Sequence, residues 1–479
     1  MKILKHISLI LVLLITFISC NENLYDFTEV TNPNLSEANI VGQTNSSSAW
    51  LTGIKRQNAL LYNEIVTISE IASDNYVNTQ TFYNQLLDNL TIDFQDPDMN
   101  ALHFDVARLR EMCDFGIERV APADVNSTNA ILAEYNFYKG LSFMIAAEYF
   151  SSAPQEENGT PVSSEVNFNS ALESFEIAIG LNSSDAKYHL AKARANYYLG
   201  NETEAVTAAN RSLTLNNSLL FTVDFDAANG PFNTMEDAIF GRGTFDDLQP
   251  LPSLDFLDPK YSFLTTSEDA STPILKSEEA YFIIAESQLS NSSLADAKIS
   301  MKSALTIVNS RPTKVIDDTA EDRTQRNPDS RPNEASVQVK YKGDASFKSG
   351  LVVDRDNTVT TYTVSGTSLT NASIDALLTI DEALEALYLM RQEVFIAEGR
   401  RIVDLGVKFV LSENELLLNP NINTGDSSLT GVIPPFIDTI KTELDMFTFD
   451  KTAGTVEIEH NLNKILVNNK TSDLVIPFF

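Results

Sequence analysis

Two stretches of this sequence superimpose at a fixed offset of 34 residues: Ala171 falls on Ala205, Ala178 on Ser212, Ile179 on Leu213, Leu181 on Leu215 and Asn182 on Asn216. A constant offset across small and large positions means that one supersecondary unit is used twice. Apolar residues inside each copy recur at helical spacing, and the small ones fall where two helices cross, which lets their backbones approach closely. Such a unit cannot bury its apolar face alone, so it stacks on its neighbours. A third stretch of the same layout starts at Glu278 and puts Ala285, Ala297, Ala304 and Leu305 in the small and apolar positions.

Thirty-four residues is the period of the tetratricopeptide repeat, and Tyr197, Gly200, Glu204 and Ala205 resemble that repeat's Y-x-x-G-x-x-x-E-A pattern. Gly200 is placed to end the first helix of its pair. Helical period also runs through Leu51, Ile54, Leu61 and Ile65, then through Leu102 to Val120 and Ile131 to Phe150, with a Pro turn and a Ser/Thr/Asn capping cluster in 121–130. Residues 217–275 lose that period and carry Gly, Pro and aromatics, which predicts a long loop region of the kind that usually serves function. In 312–370, SVQVKY, GLVVDR and TVTTYTVSG alternate β-branched residues and predict a small β insertion, with Asp354 and Asp356 in a hairpin turn. The expected fold is mainly α: one domain over 50–479, with tetratricopeptide-like helices over about 100–216 and 278–310 in a superhelix, long loops and the β insertion. Helical repeats supply a curved surface and no chemistry.

The first twenty residues read as an export signal. Lys2 and Lys5 precede a dozen apolar residues from Ile7 to Ile18, a run too short to span a bilayer, and Ser19 stands directly before Cys20. This resembles a bacterial lipobox, so 1–19 is expected to be a signal peptide, Cys20 the lipidated residue and 20–49 a tether and strap. Cys113 would then be the only thiol left, and the fold would have to stand without an intramolecular disulfide. With 34 Lys+Arg against 66 Asp+Glu the formal charge is −32, and removal of Lys2 and Lys5 takes it to −34. Binding to nucleic acid or to anionic lipid through charge needs a basic footprint, so both are excluded as partners and any membrane attachment is through the lipid.

Motifs for chemistry are missing. After Cys20 only His103, His189 and His460 remain, with no H-E-x-x-H, C-x-x-C, G-x-S-x-G or phosphate-binding Gly loop. His189 lies inside a repeat helix and reads as structural. Asp93, Asp96 and Asp98 have calcium-like spacing, but Ala101 stands where such a loop takes Gly and no Glu closes it. No catalytic residue, metal or cofactor is expected.

One segment carries family identity. Residues 378–406, LTIDEALEALYLMRQEVFIAEGRRIVDLG, resemble the C-terminal motif of the SusD/RagB family of Bacteroidetes outer-membrane lipoproteins, through Arg391, Glu393, Phe395, Glu398, Gly399, Arg400 or Arg401, Asp404 and Leu405. A second family segment is matched by Pro273, Ile274, Lys276, Glu279, Tyr281, Ala285 and Glu286, with Lys276 in place of the usual Arg, and Val475, Ile476 and Pro477 resemble the family's ending. Helix-face spacing alone does not pair these charges, so their expected role is to fix helix joints through charge-assisted hydrogen bonds, with Gly399 allowing close approach or a kink. The resemblance implies a non-catalytic, lipid-anchored protein on the exterior face of the outer membrane that binds oligo- or polysaccharide and delivers it to a SusC-like TonB-dependent transporter. Peptide or glycoprotein nutrients on the same architecture, or a tetratricopeptide scaffold in outer-membrane assembly, are the alternatives. The single Trp, Trp50, begins a helix and reads as a packing anchor, so sugar stacking would fall to Tyr or Phe. By region, the resemblance places ligand contacts at Asp74, Asn75, Tyr76, Phe82 and Tyr83, and at Arg242, Phe245 and Tyr261. The acidic balance favours a neutral glycan.

Overall fold

A computed structural model describes residues 40–78, 84–241, 248–260, 269–317, 331–354 and 357–479. Cys20 and the signal segment, Phe82, Tyr83, Arg242, Phe245, Tyr261 and Asp356 lie outside these residues. The helices begin where side chains can take up the orphan amides of a first turn. Helix α1 is Ser46–Ile71; α2, Pro97–Phe115, opens on Asp96 with Pro at its first position, and α3, Asn129–Tyr149, opens on Thr128 within the predicted capping cluster. Ser163 and Asp185 cap α4 (Ser164–Leu181) and α5 (Ala186–Tyr198), and α6 spans Glu202–Leu215. The chain turns from α5 into α6 at Gly200, whose φ of 71° is left-handed and favours a residue without Cβ.

Helices α3 to α6 pack each on the next, and the stack resumes after an excursion with α7 (Ser277–Ser290) and α8 (Leu294–Ser310). The 34-residue offset therefore corresponds to α4 and α6, the equivalent helices of successive units. Ala171, Ala178, Ala205 and Ser212 are all buried at the crossings, as the spacing predicts. Phe137 anchors this part of the core with Phe175, Tyr188 and Phe221 at ring-centre distances of 6.1, 5.2 and 5.5 Å. Each buried ring of this size contributes about 1.5–3 kcal/mol by leaving water. Trp50 packs on Phe115 at 5.0 Å and its indole N–H donates to the Met112 carbonyl at 2.8 Å, which makes it an anchor and not a platform. His189 packs in α5 with its Nε2 3.2 Å from the Ser183 carbonyl, and Cys113 is buried as a free thiol. No described helix is long and apolar enough to cross a membrane.

The strands are short and serve as ties. Strand β1 (Tyr76–Asn78) pairs antiparallel with β3 (Leu248–Pro250), while β2 (Leu220–Val223) pairs antiparallel with β4 (Thr272–Lys276). Region 217–275 is thus not all loop: the β2–β4 pair closes its base, bringing Leu220 opposite Lys276. The expected β insertion is also divided. Strands β5 (Thr313–Asp317) and β7 (Thr358–Tyr362) pair with each other, but β6 (Gln338–Tyr341) joins β9 (Thr455–Ile458) in parallel, and β9 pairs with β8 (Phe447–Asp450). The described part of that stretch, 350–354, forms no strand, and Asp354 accepts from the Asn357 side chain at 2.8 Å. Alternation showed which residues could be extended, but partner choice depends on contacts more than a hundred residues away.

Candidate functional site

The charged motif is the buried centre of the molecule. Helix α9 (Ile380–Val394) stops short of the motif's middle, and the chain turns through Phe395–Arg400 before a short helix at Arg401–Asp404, so the helix is broken near Gly399, where a kink was expected. Gly399 makes the break possible: its φ is 73°, and a Cβ there would come within 3.0 Å of the Ile65 side chain. The break splays the charges toward different partners. Arg391 forks onto Asp404 through Nη2 at 2.7 Å and Nε at 3.2 Å, and Arg401 forks onto Asp74 at 2.6 and 2.8 Å. Glu398 Oε1 accepts from Lys260 at 2.5 Å and from Lys276 at 2.6 Å. Glu279 takes a bidentate pair from Arg194 at 2.7 Å and a third contact from Arg400 at 3.1 Å. The two sequence motifs are therefore opposite sides of one network, with Lys276 and Glu279 from the second meeting Glu398 and Arg400 from the first. This is the helix-joint role expected for the motif.

The same network changes the reading of three predicted ligand contacts. Asp74, Asn75 and Tyr76 are 4%, 0% and 0% exposed, so they present no face to a ligand. Asp74 is held by Arg401 and by Gln392 at 2.9 Å, and Asn75 donates to Glu70 at 2.7 Å. A loop sequence rich in Asp, Asn and Tyr suits a sugar site and a buried polar joint equally well; only the distant Arg401 and Gln392 decide between them. What the structure does bring together is the attachment of two predicted regions. Asn78 lies opposite Leu248 in the β1–β3 ladder, so segments 79–83 and 242–247, which hold Phe82, Tyr83, Arg242 and Phe245, join the described chain at the same end of that ladder.

A groove of about 430 Å³ starts at Asn84, the first described residue after 79–83. Its lining mixes polar and apolar groups: Thr91, Asp93 and Gln95 are exposed along a run that turns at Asp93, and Leu86 is 65% exposed beside Pro97. Asn84 ties the wall together by donating to Asp96 at 2.6 Å and to Asp98 at 2.7 Å. Burial raises the Asp98 carboxyl against the Asn84 hydrogen bond, and burial with the nearby Asp98 and Asp105 pushes Glu64 up to about 7. The groove thus offers carboxylate acceptors and the Gln95 amide, whose Nε2 also donates to Glu413 at 2.9 Å, to a ligand with hydroxyl groups, and its carboxylates disfavour anions. Asp93, Asp96 and Asp98 stood out in the sequence only as a weak calcium pattern; Asn84, Thr91 and Gln95 were missed, although the alternation of polar residues at 91, 93 and 95 was a usable signal. Among the described residues no group of three or more His, Cys, Asp or Glu could hold a metal ion.

No family model and no curated protein matches the sequence. Solved structures do match the fold. A SusD-like carbohydrate-binding protein from Bacteroides vulgatus superimposes with a TM-score of 0.53 at 12% identity over 76% of this chain and 83% of its own. A SusD superfamily protein from Bacteroides fragilis gives 0.51 at 14% identity over 80% of this chain and 100% of its own. The chain has the SusD fold. A further SusD superfamily protein, from Bacteroides thetaiotaomicron, gives 0.52 at 9% identity over 80% of this chain and 98% of its own.

In this example of the SusD fold, two buried carboxyls give the network a signature in solution. Burial pushes Glu70 and Glu286 up to about 7, against the opposing hydrogen bonds from Asn75 and the Gly399 amide to Glu70 and from the Tyr197 and Tyr388 hydroxyls to Glu286. A carboxyl raised above its unfolded value near 4.5 holds a proton in the folded chain that the unfolded chain has released. Its contribution to stability is complete below about 4.5 and is lost as pH rises through about 7. Urea unfolding across that interval is expected to show stability falling with pH, and Glu286→Gln to flatten the slope. A slope unchanged in Glu286→Gln would show that this carboxyl does not hold its proton.

Proposed function

We propose that this chain is a non-catalytic glycan-binding lipoprotein of the outer-membrane surface, anchored through Cys20, which takes a neutral oligo- or polysaccharide in the groove that starts at Asn84 and delivers it to a SusC-like TonB-dependent transporter. The observation that supports it most is the SusD fold, shared with a solved protein described as carbohydrate-binding, together with a groove whose exposed groups suit hydroxyls. Neutral ligands are favoured because the groove carries Asp93, Asp96 and Asp98. Arg311 and Arg331, at the ends of the Arg-bearing stretch after α8, are already committed to Glu278 and Asp255.

Isothermal titration of the mature protein against a panel of neutral polysaccharides, anionic polysaccharides and a peptide digest separates the ligand classes. Binding of a neutral glycan is expected, and Asp93→Ala with Gln95→Ala should weaken it about tenfold, the equivalent of about 1.4 kcal/mol of lost hydrogen bonding. Binding of the peptide digest alone would replace the glycan reading with a peptide receptor. Cys20→Ala should release the protein from the cell surface, and the wild-type chain should bring down a large β-barrel from detergent-solubilised outer membrane. Absence of the barrel would remove the transporter from the proposal.

A further inference from the structure

A second cavity, separate from the groove, lies among α3, α4 and α5, the end of the charged motif and the segment 472–479. Its volume is about 400 Å³, within the range of roughly 300–1,000 Å³ typical of small-molecule sites. Its walls are unlike those of a packing gap. Phe168 and Tyr198 lie nearly parallel there, with ring centres 5.9 Å apart and an angle of 17°. Glu148, near the end of α3, lines the cavity at 2% exposure, and its Oε1 is buried without a hydrogen-bond partner. A buried acceptor left unpaired costs about 1–3 kcal/mol, which a ligand hydroxyl donating to this carboxyl would offset. Lys408, on the same wall, donates to the Ala147 carbonyl at 2.5 Å and to the Ser164 hydroxyl at 2.9 Å, which uses two of its three protons.

The cavity is thus lined by a buried carboxyl and by an ammonium that keeps one proton, with no contact of 4 Å or less between the two. Burial raises the Glu148 carboxyl against the pull of Arg194 and Arg400, and with Lys408 on the same lining a cation is disfavoured while a neutral ligand suits the mixed set. A vicinal pair of hydroxyls satisfies both groups, one accepting from the ammonium and the other donating to the carboxylate, while the aromatic wall takes an apolar face. We propose that this cavity binds one neutral sugar residue, or a polyol of similar size, through two adjacent hydroxyls held by Lys408 and Glu148. The site does not share residues with the groove, so its occupancy does not depend on the polysaccharide reading.

Saturation-transfer NMR with glucose, galactose, mannose, N-acetylglucosamine and xylose, each added to the intact mature protein, tests this directly. At least one sugar is expected to bind. Glu148→Gln and Lys408→Met should each weaken it tenfold or more, and Asp93→Ala with Gln95→Ala should leave it unchanged. In the wild-type protein the same sugar should slow amide exchange in 472–479, a readout that does not depend on any variant folding. No binding by any of the five sugars, binding unaffected by both cavity variants, or exchange in 472–479 unchanged by a bound sugar would each overturn the proposal.

Discussion

Glu398→Ala is expected to cost at least about 3–5 kcal/mol of folding stability, the range for breaking a buried ion pair by removing one partner. Two cations share this one carboxylate: Lys260 and Lys276 both reach Oε1, and both side chains are almost completely buried. Lys276 is already held down to about 8 by burial, against the pull of Glu398, so removing the anion takes away its largest opposing influence. Carbonyls of Ile396 and Val394 remain within reach of the two ammonium groups, but they carry no compensating charge. Urea unfolding monitored by circular dichroism measures the loss. Adding Lys276→Met to Glu398→Ala should recover part of it, because one of the stranded charges is then gone. A loss under about 1 kcal/mol would mean that water reaches the pair and that it behaves as a surface bridge.

Arg401→Ala is the second large effect, again about 3–5 kcal/mol, because it strands the Asp74 carboxylate and releases Asn463, which accepts from Arg401 at 2.9 Å. The instructive comparison is the double exchange Asp74→Leu with Arg401→Met. Replacing both charges by apolar side chains leaves no uncompensated ion, so the double variant should be more stable than Arg401→Ala alone. If the double variant is the worse of the two, the bidentate geometry and its links through Gln392 and Asn463 contribute net stability, and Asp74 is a required part of the joint. Either ordering can be read from midpoints of the same urea titration.

The helical stack was legible in the sequence because its cause is local and repeated. Ala171 and Ala205 announce the same crossing twice, and Thr128 announces a helix start three residues ahead of the amide it accepts from. The charged motif was legible as a joint for the opposite reason: Arg391 has no acidic residue three or four positions away, so at least its partner had to lie elsewhere in the chain. Which partners could not be read. Asp74 is 327 positions from Arg401, and nothing in the segment around it distinguishes a carboxylate offered to a sugar from one held by a guanidinium. The break of the motif helix at Gly399 was half visible, since Gly allows a left-handed turn, but the need for one comes from Ile65 of α1. Of the groove only the polar alternation at 91, 93 and 95 was visible, and of the cavity nothing. Glu148 reads as one more polar residue late in an apolar helix, and it becomes unusual only once its surroundings leave Oε1 without a partner.

The β2–β4 tie has an evolutionary consequence. Because Leu220 and Lys276 stand opposite each other, the polypeptide leaves the helical stack and returns to it at one point, and the stack receives both ends at a fixed separation whatever lies between. The entropic cost of a flexible loop grows only by about 0.6 kcal/mol for each doubling of its length. Changes of length within the excursion are therefore cheap between its fixed points, while Leu248–Pro250, paired with β1, and Lys260, held by Glu398, bind it to the scaffold and restrict where the chain can be rewritten.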